Sequence, residues 1–299
     1  MEKYKVLENE ENIRVDNFLA NKSEISRSKI QNLVKNERIL VNDKPIKVSY
    51  KTQVDDIITI DFVEEENHLK PEKIDLDIVY EDDDIMVINK QNGLVVHPAP
   101  GNYEHTLANA LTYYSKSLSD VNGEFRPGIV HRIDAFTTGL LVIAKNNKAH
   151  EVLASELALK NIKRTYLALV WGIIKENSGT IDAPIGRDKN DRKKMAVVAD
   201  GKKAITHFKV LARYNRATLL EVSLETGRTH QIRVHTNYIG HPIVNDPIYG
   251  KREIIDETGQ CLHAMKLELI HPITGEEKCF TCEIPECFDK ILTKFKMEE

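Results

Sequence analysis

The chain has 299 residues, of which 41% are hydrophobic and 29% charged, with a formal net charge of −4. That length suits a small module joined to a larger one, and the composition excludes a disordered chain. The charged start MEKYKVLENEENIRVD lacks the apolar core of a signal peptide, and no apolar run is long enough for a membrane-spanning helix, so a cytoplasmic protein with no membrane association is expected.

Residues 1–62 read as a small α/β unit. RVDNFLANK places Val15, Phe18 and Leu19 on one helical face. SRSKIQNLVKN repeats the pattern with Ile30, Leu33 and Val34, with Ser26 or Ser28 as its cap. RILVN and DIITIDF read as strands. The net charge is negative, yet Arg27, Lys29, Lys35, Arg38, Lys44, Lys47 and Lys51 crowd this unit. Such a cluster suits a phosphate backbone, although charge runs are commonly just solvated faces. The acidic, proline-containing residues 63–78 read as a linker.

Residues 79–299 read as a mixed α+β domain with few crossover units. DIMVIN is an apolar strand, followed by an amphipathic helix in EHTLANALTYYSK. Then come a strand in GLLVIAK, a helix in KAHEVLASELALKNI and a strand in RTYLALVWGII. AITHFKVLARY and ATLLEVSLE alternate across a short turn, as antiparallel neighbours do. GRDKNDRKK, with Lys202 and Lys203 soon after, is a second basic stretch. THQIRVHTNYIG reads as a helix capped by Gly240. Cys261, Cys279, Cys282 and Cys287 sit late and unevenly, against a disulfide framework. On a strand, residues three apart point to opposite faces, so CFTC is a poor zinc clamp and reduced thiols are expected.

Three stretches carry candidate chemistry. In HRIDAFTTGLLVIAK, Asp134 follows His131 and Arg132 and precedes a Thr-Thr-Gly turn. It reads either as a turn cap or as a sheltered carboxylate beside a cation, able to act as nucleophile or base. In ETGRTHQIRVH, Arg228 follows a glycine and offers a planar fork suited to a carboxylate; the alternative is a surface pair with Glu225. In KRTYLALVWG, Tyr166 is either core or a phenol that moves a proton.

In this order the stretches resemble the RluA/RluD family of pseudouridine synthases, which modify ribosomal RNA. YEDDDIMVINKQNGLVVHPAPGN is similar to the family's entry strand and loop. GIVHRIDAFTTGLLVIAK, KRTYLALVWG and LETGRTHQIRVH resemble its catalytic, tyrosine and arginine motifs. GHPIVNDPIYG and LHAMKLELIHP match its closing segments. RVDNFLANKSEISRSKIQNLVKNERILVNDKPIK resembles an S4 domain, a small RNA-binding module. The departures are Ala135 and Phe136 after Asp134, Gln91 in place of a proline, and Glu37, Asp43 and Asp55 where glycine is common.

The resemblance implies an S4-type module before a catalytic domain built on a mixed, largely antiparallel sheet flanked by helices. It implies that uridines of large-subunit ribosomal RNA are isomerised to pseudouridine by a monomer without cofactor or metal. Asp134 is the implied nucleophile, on a uridine flipped out of its stack. Arg228 is the implied partner of Asp134, and Tyr166 lies against the base. Arg132 is expected to displace the base, and His131 to fix the loop among the RNA contacts. Arg27, Lys29, Lys35, Arg38 and Lys44 are the RNA contacts expected of the S4 part. A non-catalytic ribosome-assembly factor would lack Asp134 or Arg228, and both are present. The same chemistry on transfer RNA is the remaining alternative.

Overall fold

A computed structural model describes the chain apart from Met1, Glu24, Ser26, residues 62–68, Pro100, Gly101, Glu124, Arg192, Lys193, Lys251, Arg252, Glu298 and Glu299. The side chains of Ser28 and Lys29 also lie outside the described residues, as do the Ser26 cap and part of both the expected linker and the second basic stretch. The chain forms two compact units, Met1–Asn67 and His68–Glu299.

In the first unit the order is β1 (Glu2–Lys5), α1 (Val15–Lys22), α2 (Arg27–Lys35), β2 (Ile39–Val41), β3 (Lys44–Pro45) and β4 (Ile57–Ile60). The strands make an antiparallel sheet in the order β1-β4-β2-β3. Val15, Phe18 and Leu19 of α1 and Ile30 and Val34 of α2 close over Ile39, Val41, Ile58 and Ile60. Asn42 and Asp43 both take positive φ (50° and 61°), as a two-residue turn joining β2 to β3 requires. Glu37 and Asp55 also stand at positive φ (58° and 66°), although neither is glycine. Strand β1 has no counterpart in the sequence reading; it is short and charged, and pairing with β4 creates it.

The second unit opens with β5 (Asp77–Glu81), β6 (Ile85–Lys90), α3 (Leu107–Tyr114), β7 (Thr138–Ala144), α4 (Asn147–Ala158) and β8 (Lys163–Trp171). It continues with β9 (Ser178–Asp182), β10 (Ile185–Arg187), β11 (Met195–Val197), β12 (Ile205–Arg213), β13 (Ala217–Leu224) and α5 (Gln231–Tyr238). It closes with β14 (Leu262–Ile270), β15 (Glu277–Thr281) and α6 (Glu286–Met297). One mixed sheet runs β5-β6-β7-β14-β8-β13-β12-β9, with β15 paired to β14. Its single parallel step is β7 against β14; the other ladders are antiparallel. Strands β10 and β11 form a separate antiparallel hairpin.

Both faces of the central strands are covered, so β7 is buried along its whole length and reads as an unbroken apolar run. Leu140 and Val142 join Ala149 and Leu153 of α4 on one face. Leu141 and Ile143 join α3 and the α6 residues Phe288, Ile291 and Phe295 on the other. Among the described residues, no helix is long and apolar enough to cross a membrane.

One boundary is corrected. Residues 69–78 were expected to be linker, yet they belong to the second unit's core. Leu69 is buried there, Ile74, Leu76 and Ile78 pack against it, and Asp77–Glu81 is an edge strand. The acidic residues hid this because an edge strand exposes every second side chain.

Gly139 lies at the β7–β14 junction with φ 105°, where a Cβ would meet the Ala264 carbonyl oxygen at 2.3 Å. Gly139→Ala is expected to destabilise the protein by at least ~2 kcal/mol, from left-handed strain plus a backbone clash. Urea unfolding measures this, and a change below about 0.5 kcal/mol, the range of surface substitutions, would mean that the two strands do not approach so closely.

Candidate active site

Asp134 sits in the loop that leads into β7, and that loop is restrained from three sides. The Thr137 amide donates to the Asp134 carbonyl at 3.0 Å, closing a turn. Gln260 Nε2 donates to Thr137 Oγ1 at 3.0 Å. Lys90, at the end of β6 and 1% exposed, donates from Nζ to the carbonyls of Gln91, Leu94 and Ala135 at 2.9, 2.9 and 2.7 Å. Three acceptors match the three hydrogens of an ammonium. Burial pulls the Lys90 pKa down to about 7, and the nearby Asp134 carboxylate opposes that fall. Phe136 covers Gly259, whose Cβ would lie 2.4 Å from the ring.

The cation on Asp134 is Arg233, not Arg228. Arg233 Nη1 donates to Asp134 Oδ2 at 2.8 Å. Its Nε and Nη2 form a fork on Asp246, at 2.7 and 2.9 Å. Asp246 is fully buried and also accepts from the Ile248 and Tyr249 amides, at 2.9 and 3.0 Å. Burial works most strongly against the Arg233 charge, but the hydrogen bonds and charge attraction of Asp246 and Asp134 together outweigh it and raise the pKa. Arg228 is exposed and donates from Nε to the Lys203 carbonyl at 3.0 Å. The reason for the correction is helical position. Arg228 precedes α5, where its amide is held by Gln231 Oε1 at 2.9 Å. Arg233 lies within α5, whose residues from Gln231 to Thr236 are all buried.

One cavity of about 340 Å³ gathers these groups: Asp134, Arg233 and Tyr166 line it, with Arg132, Arg164, Arg228 and His230. Its size is that of a site for one small group. Tyr166 is 5% exposed on central strand β8, between Val222 of β13 and Ala264 of β14. Burial raises its pKa, Arg164 counters this, and Asp134 adds to it, so the phenol keeps its proton.

His131 is occupied by the fold. The Val142 amide donates to its Nε2 at 3.1 Å, which leaves the proton on Nδ1. Burial pushes its pKa down to about 3, with Arg164 adding to the fall. His131 is therefore neutral and anchors the loop to β7, and it is no cationic RNA contact. Arg132 is exposed, and its Nη1 meets His97 Nε2 at 3.2 Å. His97 Nδ1 lies 3.0 Å from the Pro98 carbonyl and must donate there, so Nε2 accepts from Arg132.

In the first unit, Arg27 donates to buried Asp16 at 3.1 Å, alongside Arg14 and Gln31. Arg38 pairs with Asp61 at 3.0 Å, and Lys35 and Lys44 are exposed. The described cysteines are free.

A family model for RNA pseudouridylate synthase matches residues 84–238, and one for the S4 domain matches residues 13–58. The chain belongs to the RNA pseudouridylate synthase family. It is 49% identical to an uncharacterized RNA pseudouridine synthase, YlyB, of Bacillus subtilis (strain 168), over 97% of this chain and 96% of that protein. It is 41% identical to ribosomal large subunit pseudouridine synthase D of Zymomonas mobilis, over 91% of this chain and 90% of that protein. The solved structure of human RNA pseudouridylate synthase domain containing 1 shares the fold, with a TM-score of 0.60 and 24% identity over 75% of this chain and 96% of that one. The family's reaction is the isomerisation of uridine in RNA, and the first unit is its S4 domain.

The sequence reading of this enzyme missed Arg233, Asp246, Lys90 and His230. The usable signal was the second arginine of RTHQIR, which falls inside the expected helix. Arg233→Ala is expected to abolish activity and to cost roughly 3–5 kcal/mol of stability, because Asp246 is left buried and unpaired. Arg228→Ala should stay within about 0.5 kcal/mol of wild type. Urea unfolding of both variants checks this; equal losses would refute the assignment.

Proposed function

We propose that the enzyme isomerises uridines of large-subunit ribosomal RNA in the cytoplasm, as a monomer without cofactor. Asp134 acts at C1′ of a uridine turned out of its stack into the cavity. The N1–C1′ bond breaks, the uracil turns, and a C5–C1′ bond forms. A proton leaves C5 and N1 gains one, so no atom enters or leaves overall. The observation that carries this reading is a carboxylate held by a buried guanidinium at the wall of a one-nucleotide cavity, beside a protonated phenol.

Arg233 fixes the direction of the carboxylate, and Tyr166 lies against the base and moves a proton. Arg132 stands exposed beside the cavity, where it can fill the gap left by the base. The S4 domain tethers the RNA through its basic side chains. Support for ribosomal RNA comes from relatives named ribosomal large subunit pseudouridine synthase D, among them proteins of Zymomonas mobilis and Pseudomonas aeruginosa.

Asp134→Asn keeps the shape of the side chain and removes its nucleophilicity. Pseudouridine formation is expected to stop while RNA binding persists. The test maps pseudouridines across total RNA from cells carrying the wild-type gene, the variant or neither. Turnover within about tenfold of wild type, a barrier change of ~1.4 kcal/mol, would refute the role of Asp134. Sites confined to transfer RNA would refute the substrate.

Removing residues 1–67 should weaken RNA binding and flatten its salt dependence, by a log–log slope of about 0.7 for each single-strand phosphate no longer neutralised. Titration of the intact and shortened proteins at several salt concentrations reads this directly. An unchanged slope would mean that the basic face of the S4 domain does not touch that RNA.

A further inference from the structure

His230 lines the cavity beside Asp134 and has no role in the mechanism above. His230 stands at the start of α5 in the left-handed conformation (φ 56°, ψ 22°), which histidine adopts more readily than most side chains. Its Nδ1 lies 2.8 Å from the Tyr249 hydroxyl, and its Nε2 lies 3.7 Å from Asp134 Oδ1. Arg233 binds the other carboxylate oxygen, Oδ2.

The direction of these bonds follows from the far end of the chain of contacts. The Met195 amide, at the start of β11, donates to the Tyr249 hydroxyl oxygen at 2.9 Å. That oxygen accepts from Met195, and its other polar contact is Nδ1 of His230, to which the phenol hydrogen is assigned. Burial raises the Tyr249 pKa, so the phenol retains that hydrogen. Burial lowers the His230 pKa, with Arg233 and Arg132 adding to the fall and Asp134 and Asp246 opposing it, so the ring is neutral. A neutral ring that accepts at Nδ1 carries its hydrogen on Nε2, the atom facing Asp134.

We propose that His230 is a positioning residue for Asp134: Tyr249 and the Met195 amide fix its tautomer so that Nε2–H holds Oδ1 while Arg233 holds Oδ2. At 3.7 Å the contact is longer than a hydrogen bond, as catalytic contacts commonly are before substrate binds. The carboxylate is then gripped on both oxygens, and a turn about its last bond, which would swing the attacking oxygen away from C1′, is prevented. Hairpin β10–β11 supplies the Met195 amide, and it packs with α5 in a small cluster containing Ile185, Val234 and Tyr249. The alignment of Asp134 is thereby tied to that hairpin, whose connecting loop is the basic stretch around Lys189 and Lys194.

This inference rests on the proposed role of Asp134, and the experiment separates the two. Single-turnover rates and RNA dissociation constants are measured for wild type, Tyr249→Phe, His230→Gln, His230→Leu, the double variant H230Q/Y249F, and Asp134→Asn as reference. Thermal unfolding identifies any variant that fails to fold. Tyr249→Phe should slow the reaction between about ten- and a hundredfold with unchanged RNA affinity, the scale of a misaligned reacting group.

A glutamine offers an N–H donor with no tautomer to fix. His230→Gln should therefore retain more rate than His230→Leu, and adding Tyr249→Phe to it should cost less than about twofold, well below the effect of lost alignment. Nitrogen-15 spectra of histidine-labelled protein should show His230 protonated on Nε2 in wild type and a mixture in Tyr249→Phe, whether or not the glutamine variant folds. Equal losses from Tyr249→Phe in the histidine and glutamine backgrounds would overturn the proposal, as would a wild-type ring protonated on Nδ1. An active Asp134→Asn enzyme would instead overturn the reading of the site itself.

Discussion

A single guanidinium shared by two carboxylates organises the catalytic unit. Arg233 gives its fork to Asp246 and its remaining nitrogen to Asp134, with its own side chain 3% exposed. Burying one cation and two anions is unfavourable unless each hydrogen finds an acceptor. Here the acceptors come from separate parts of the chain: the loop before β7 and the loop after α5. The network therefore forms only when α5, the Asn245–Gly250 turn and the Asp134 loop have all reached their places.

The sheet supplies the rigidity that such a network needs. Asp134 lies a few residues ahead of Thr138, where β7 begins its short parallel register with β14. Gly139 lets the two backbones meet there, and Lys90 reaches up from β6 to hold the Ala135 carbonyl. The Asp134 loop is thus fastened at its base by backbone and at its tip by an ammonium. A carboxylate on a free loop would sample many directions, whereas this one has few. Tyr166 gains the same fixity from lying on β8, which is paired on both sides.

The long elements were legible because apolar spacing alone specifies them: the β7 run, the Val15-Phe18-Leu19 face and the β12–β13 pair all appear where the pattern puts them. The C-terminal helix α6 has an equally clear stripe in Phe288, Ile291, Leu292 and Phe295. Strands β1, β10 and β11 have three or four residues each and exist through their partners, so local pattern could not reveal them. At the site, the motifs of Asp134 and Tyr166 singled out two residues that line one cavity. The choice between Arg228 and Arg233 was not, because it turns on which arginine faces inward once α5 begins at Gln231. Lys90 was hidden for a related reason. A lysine in sequence is presumed solvated, and only tertiary structure shows its ammonium capped by three carbonyls.

The parallel step between β7 and β14 has a further meaning. Among the described residues, two register pairs join the strand block β5–β6–β7 to the rest of the sheet. The carboxylate hangs from that block, whereas the guanidinium, the phenol and the imidazole all come from residues after α4. In sequence the two groups meet at the turn after α4, where Lys160 is exposed with φ 66°. A chain interrupted at that turn would yield two fragments, each holding part of the cavity's charged and phenolic groups. Only their reunion restores the shared arginine to its second carboxylate. In the language of circuits the site is an AND gate: its output reports that both halves of the sheet are present and in register.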